Sequence, residues 1–227
     1  MSQNPPIQIF KRRAQVPAAL AERFRAIPVA NISDCMQRIT AAGPRLRPMH
    51  AGGALSGPAF TVKTRPGDNL LAHKALDLAK PGDVIVVDAG GDLTNAIMGE
   101  LMTGYAASRG IAGIVINGAI RDADTLRASR FPVYAAGVTH RGPYKDGPGQ
   151  INVAIAIDGM VIEPGDLIVG DADGVLCVPK GQAEAIYAAA HDKNEQEKLT
   201  IAQIAAGSLD TSWVDGALQR LGYASEY

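Results

Sequence analysis

Short unbroken aliphatic runs alternate along the chain with stretches in which apolar residues return every three or four positions. The first kind, VIVV at 84–87 and GIAGIVI at 110–116, predicts strands buried on both faces. AFTVKT (59–64) and FPVYAAG (131–137) add further strands, and the chain from 151 to 178 reads as β-rich. The second kind predicts helices. One covers 17–27, with Leu20, Phe24 and Ile27 on a single face, and a short one in NISDCMQRI is capped by Ser33 or Asn31. Another runs over 70–79 behind a cap at Asp68 or Asn69, with Leu71, Ala75 and Leu78 along one side. Helices are also expected at 95–109, closed by Gly110, at 122–129 and at 181–207.

Glycine and proline punctuate the pattern. The strand at 110–116 is expected to break through Asn117-Gly118, and THRGPYKDGPG (139–149) must be a loop. KPGDVIVVDAGGD (80–92) and EPGDLIVGDADGV (163–175) echo one another as a Pro-Gly turn, a buried strand and an acidic exit, which is turn chemistry and not a solenoid repeat. No linker divides the chain. The expectation is one α/β domain over 31–180, preceded by an arm and helix over 1–30. A C-terminal helix and tail over 181–227 would complete that domain or a subunit interface.

Composition narrows the function classes. A hydrophobic fraction of 47% and a charged fraction of 20% are ordinary for a globular protein. With 22 basic and 23 acidic residues well mixed, a net charge of −1 leaves no electrostatic footprint for nucleic acid. No run approaches the roughly 20 apolar residues of a membrane span. Cys35 and Cys177 match no metal or redox spacing, which fits a reducing, cytoplasmic location.

Several motifs fail on inspection. VIVVDAGGD lacks the glycines of a nucleotide-binding loop and puts Asp92 where a phosphate would sit. DADGVLCVP begins like a calcium loop, but its twelfth position is Gln182. What survives is a set of carboxylates, Asp88, Asp92, Glu100, Asp122 and Asp124, at the carboxyl ends of two apolar strands, where ligands bind in open α/β sheets. Arg121 stands beside Asp122. A hard cation such as Mg²⁺ takes one or two carboxylates and keeps waters, so Asp122 could be a direct ligand and Glu100 a water-mediated one. Arg121 could pair with a substrate carboxylate, although a helix cap and a surface ion pair explain the same two residues. The amides of Leu101 and Met102 are open to an anion if the helix begins at Gly99, and already used if it begins at Asn95.

GELMTGYAASRGIAGIVINGAIRDADTL, FPVYAAG, GPYKDGPGQINVAI and PGDLIVGDADGVLCVP together resemble the RraA-like family. That family includes divalent-metal-dependent aldolases acting on 4-hydroxy-4-methyl-2-oxoglutarate and 4-carboxy-4-hydroxy-2-oxoadipate. The resemblance implies a swivelling β/β/α fold and a trimer or hexamer with sites between subunits. It also implies Mg²⁺ or Mn²⁺ on Asp122, Glu100 holding the metal through water, and Arg121 on the pyruvyl group. The amides of Leu101 and Met102 would hold the pyruvate carboxylate, and Glu197, or as second choice Glu195, would supply a carboxylate from a neighbouring subunit. Aldol cleavage and oxaloacetate decarboxylation would share one enolate.

The chain departs from the aldolase pattern at Thr125, where an acidic residue is usual; Asp124 stands one place earlier. The resemblance also carries two alternatives. One is a non-catalytic regulator that binds ribonuclease E or a helicase. The other is an enzyme acting on a different small oxo or hydroxy acid. Arg141 and Lys145, on the 139–149 loop, could read a distal substrate carboxylate or pair with a neighbouring subunit.

Overall fold

The computed structural model describes residues 7–38 and 42–223. An N-terminal strand, β1 (Ile7–Ile9), precedes two short helices, α1 (Ala18–Phe24) and α2 (Val29–Cys35). Next come β2 (Arg47–Pro48), the long β3 (Leu55–Thr64), α3 (Leu70–Leu78), β4 (Val84–Asp88), β5 (Ala96–Met98) and α4 (Glu100–Ser108). β6 (Gly113–Ile120), α5 (Ala123–Ala128) and β7 (Val133–Val138) follow. The next part is strand-rich: β8 (Gly149–Ile151), β9 (Ile155–Ile157), β10 (Met160–Ile162), β11 (Leu167–Gly170) and β12 (Val175–Val178). The chain ends in α6 (Ala183–Ala205) and α7 (Ser212–Arg220). It forms two compact units, one through Ala190 and one from His191, so the division falls inside α6. Among the described residues no helix is long and apolar enough to cross a membrane.

In the first unit β3, β4, β6 and β7 lie side by side and parallel. Alternate residues of these strands enter two different cores, which is why their sequences are continuously apolar. Ile85, Val87, Ile114 and Ile116 pack with Leu71, Leu76, Met102 and Leu126 of the helices. Val84, Val86 and Val115 pack on the other side with Tyr134, Ile155, Ile157 and Met160. β3 is shared, since its first residues pair with β11 and its later ones with β4 and β8. A third core sets α1, α2 and the start of α6 against β11 and β12.

Several expectations are corrected. On α3 the buried face carries Leu71, Ala72, Ala75 and Leu76, while Leu78 is exposed. α2 begins at Val29 behind Pro28, so Asn31 and Ser33 lie inside it. Its first N–H is satisfied from far away, by Asp171 Oδ2 at 2.9 Å from Val29 N. The strand expected to break at Asn117-Gly118 continues to Ile120, with a register shift between Ile116 and Ala119. The bulge accommodates that dipeptide because the Asn117 carbonyl accepts from the Ala89 and Gly91 N–H groups. Its side chain donates to Asp88 Oδ1 and accepts from Arg45. Residues 95–98 are not helical: β5 occupies 96–98 and pairs with the end of β6. The tail after α6 contains α7, which sequence reading did not anticipate.

The 80–92 and 163–175 echo holds as turn chemistry. Asp83 Oδ2 accepts the Lys80 N–H and Asp166 Oδ2 accepts the Glu163 N–H, three residues back in each case.

Candidate active site

The added length of β6 and the shorter α4 bring two chain segments to one point. α4 starts at Glu100, with Gly99 as N-cap in an extended conformation. The first four N–H groups of a helix have no intrahelical acceptor, so the amides of Leu101 and Met102 are open, as the later of the two expected starts requires. Those amides and the positive end of the helix dipole favour an anion.

β6 delivers the other half. Arg121 N donates to the Met98 carbonyl at 3.0 Å, which ties the strand exit to the end of β5. Asp122 then turns into α5 from a left-handed conformation, φ 57° and ψ 40°. Aspartate tolerates that region better than most side chains, and the turn points its carboxylate at α4. Asp122 Oδ2 accepts the Glu100 N–H at 2.9 Å, filling one of the open positions at that helix start. Arg121 Nε lies 3.6 Å from the same oxygen, too far for a hydrogen bond, and both side chains are partly exposed. Asp122 Oδ1 has no protein hydrogen bond among the described residues.

Gly99 is required by the packing here. A Cβ at that position would collide with Asp122 Oδ2 and lie 2.8 Å from Arg121 Cγ. The adjacent cation and carboxylate are thus fitted around a backbone with no side chain.

A cleft of ≈ 330 Å³ opens beside these groups, between β5, the start of α4, α3 and the 139–149 loop. Arg121, Leu101, Met102, Asn69, His73 and Lys145 are among its lining residues, and Asn69 Nδ2 meets Met102 Sδ at 3.4 Å. Asn69 Nδ2 donates to the Ile97 carbonyl at 2.9 Å, which joins α3 to β5. Burial lowers the pKa of His73 below its ordinary value, and the nearby Lys145 ammonium lowers it further against an opposing effect of Asp77. His73 is therefore neutral near pH 7, and Lys145 is the cation at that end. A larger cavity of ≈ 700 Å³, lined by Phe10, Arg12 and Lys180 among others, lies apart from these residues. It has no open helix start, and its Arg12 and Lys180 are already paired with acids.

The other expected carboxylates do not join Asp122. Asp88 is engaged by Asn117 and the Gly90 N–H, and Asp92 by Thr94. Asp124 is fully exposed and pairs with Arg127 at 3.6 Å. Among the described residues, no three His, Cys, Asp or Glu side chains are grouped to hold a metal ion. In the second unit Glu197 pairs with Lys193 at 3.2 Å and Glu195 with Lys198 at 2.7 Å. Sequence reading missed the contributions of Asn69 and His73, and left Lys145 unassigned; their shared place in the cleft is set by tertiary contacts alone.

Known proteins resemble this chain in sequence and in fold. A protein of Halalkalibacterium halodurans named "Putative 4-hydroxy-4-methyl-2-oxoglutarate aldolase" is 46% identical over 176 residues, covering 78% of this chain and 84% of that one. A Burkholderia mallei protein of the same name is 41% identical over 133 residues, 59% of this chain and 80% of its own. Among solved structures, an uncharacterized protein from Pseudomonas syringae pv. tomato superposes with a TM-score of 0.78 at 28% identity, covering 86% of this chain and 96% of that one. Streptomyces coelicolor RraAS2, described as an unusual member of the RNase ES inhibitor RraA protein family, gives 0.73 at 27% identity, with 82% and 96% covered. The family model described as RraA-like, Aldolase/RraA, matches residues 29–177, and the chain belongs to that family.

Proposed function

We propose that this protein is a divalent-metal-dependent carbon–carbon lyase that cleaves a 4-hydroxy-2-oxo acid to pyruvate and a second oxo acid, and that also decarboxylates oxaloacetate. The observation that carries the reading is the pairing at the exit of β6. One Asp122 oxygen is held by the Glu100 N–H, with Arg121 Nε 3.6 Å from it, and the other has no protein hydrogen bond among the described residues. An aspartate fixed by one oxygen suits a hard cation that takes few carboxylates and keeps its waters. Mg²⁺ or Mn²⁺ held there by Asp122 would supply Lewis-acid stabilisation of enolate charge.

The chain's own groups supply the rest. The guanidinium of Arg121 places fixed positive charge where the pyruvyl oxygen gains negative charge as the carbon–carbon bond breaks. The open amides of Leu101 and Met102 donate to the substrate's first carboxylate. Glu100, at the first position of α4, is assigned to orient water at the cation. Lys145, beside the neutral His73, takes the carboxylate at the far end of the substrate. Glu197 would enter from a neighbouring subunit of a trimer or hexamer. Aldol cleavage and decarboxylation leave the same pyruvate enolate, so one arrangement serves both.

The test is pyruvate release from oxaloacetate and from 4-hydroxy-4-methyl-2-oxoglutarate, with Mg²⁺ and then with excess EDTA. Turnover that EDTA abolishes, that added metal restores and that Asp122→Ala and Arg121→Ala lose is the expected result. No turnover of either substrate under both conditions would overturn the reading. A second reading, a protein-binding regulator, draws on the likeness to RraAS2. It requires a stable complex with a ribonuclease or helicase that survives substitution of Arg121 and Asp122.

A further inference from the structure

We propose that Asp68 is a positioning residue that sets how the cleft holds the far end of its substrate. For the ligand of Lys145, the proposal rests on the reading above. Asp68 is fully buried. A buried carboxylate is tolerated only when donors surround it, and Asp68 has four. Its Oδ1 accepts the Leu70 N–H at 3.0 Å. Its Oδ2 accepts the Asp146 N–H at 2.7 Å, the Gly147 N–H at 2.9 Å and Arg65 Nη2 at 3.1 Å.

Two of these donors belong to the 139–149 loop, and the backbone on either side repeats the connection. Tyr144 N donates to the Gly67 carbonyl at 2.8 Å, and Asn69 N donates to the Tyr144 carbonyl at 3.0 Å. Lys145 is therefore bracketed, with Tyr144 and Asp146 both fastened to residues 67–69. Its own side chain is exposed and makes no ion pair among the described residues, so its place in the cleft is inherited from this backbone. The same carboxylate, through Leu70 N, fixes the start of α3, where Asn69 and His73 also line the cleft. Asp68 itself bonds neither Arg121, Asp122 nor the first turn of α4; its neighbour Asn69 reaches that turn only at the Met102 sulfur, 3.4 Å from Nδ2, and not at its N–H. It should control the distal end of the cleft and leave the pyruvyl end alone.

Asp68→Asn separates the two ends. The amide keeps the shape but offers one acceptor in place of two. Whichever way it turns, its NH₂ group faces either the Leu70 N–H or the two loop N–H groups. The experiment is calorimetric titration in Mg²⁺ of wild type, Asp68→Asn, Lys145→Met and the double variant. The probes are pyruvate and 2-oxoglutarate, a stable 2-oxo dicarboxylate. Asp68→Asn is expected to weaken 2-oxoglutarate about tenfold and to leave pyruvate within about twofold. The double variant is expected to bind 2-oxoglutarate no more weakly than Lys145→Met alone, because residues acting through one another are non-additive. If Asp68→Asn does not fold, Asp68→Glu, which keeps the charge but moves it by one methylene, is expected to show the same split. Equal loss of both probes, no loss of either, or additive losses in the double variant would overturn the proposal. Binding of pyruvate by wild type supports the pyruvyl-end reading whatever Asp68→Asn does. Failure of wild type to bind either probe defeats that reading, and the role assigned to Asp68 with it.

Discussion

The carboxylate of Asp122 caps a helix it does not belong to: Oδ2 accepts the Glu100 N–H at 2.9 Å across 22 residues of chain. The contact gives Asp122 a structural role beside the chemical one proposed for it, and Asp122→Asn separates them. Asparagine also tolerates the left-handed backbone and keeps an acceptor for Glu100 N. Its unfolding free energy should fall by only about 1 kcal/mol, since one charge-assisted hydrogen bond becomes neutral. Pyruvate release should fall about 100-fold or more, because even outer partners of a metal cost up to that much. Thermal unfolding and steady-state turnover on the same preparation check both.

Gly99→Ala tests the fit of the two segments without touching a functional side chain. The new Cβ would displace Asp122 and Arg121 together. A shift of about 1 Å in positioning groups costs on the order of 100-fold in rate, so turnover should drop by that order. Raising the metal concentration should relieve the Asp122→Asn defect more fully than this one, because added metal does not return Arg121 to its place. A metal titration of activity for both variants distinguishes the causes.

The strands were legible because double-sided burial leaves an unmistakable run, as at Val84–Asp88. The paired Pro-Gly-Asp turns were legible because each aspartate acts three residues away. What sequence could not show is contact across long separations. Asp171 caps Val29, Asp122 caps Glu100 and Asp68 ties Leu70 to Gly147, each an aspartate whose partner lies far along the chain. The local candidates Asn31 and Ser33 were offered for α2 because local caps are the only kind a sequence displays. For the same reason β5 was absorbed into α4. Three apolar residues ahead of a glycine look like a first helical turn until the end of β6 supplies a pairing partner.

His73 gives a pH signature. Its imidazolium is disfavoured in the folded state by burial and by Lys145, so its pKa lies below the ordinary 6.5. The unfolded chain then binds more protons in the window just below 6.5, and this contribution to stability is present above that value and lost as pH falls through the folded pKa. Lys145→Met removes one of the two lowering causes while burial remains. The His73 pKa, followed by NMR of the imidazole, should rise in Lys145→Met yet stay below that of an exposed histidine. No movement would place the ammonium away from His73 and weaken its assignment to the cleft.

Stability at the other end of β4 should be separable from the site. Arg12 and Asp83 form an ion pair at 2.9 Å with side chains only 9% and 2% exposed, and Asp83 also accepts the Lys80 N–H. Removing one partner of a buried pair strands the other charge and costs about 3–5 kcal/mol. For a chain of this size each kcal/mol lowers Tm by about 2–4 °C, so Arg12→Ala should lose on the order of 10 °C. Arg12→Met with Asp83→Asn should recover much of that loss, because no charge is left buried and the Lys80 N–H keeps its acceptor. Asp83 precedes β4, whereas the strand's far end, Asp88, is paired in register with Asn117 of β6, the strand that leads to Arg121. Both variants should therefore keep kcat/KM for pyruvate release within about twofold at temperatures where they are folded. A fall in kcat/KM matching the fall in Tm would show that the two ends of the sheet are coupled.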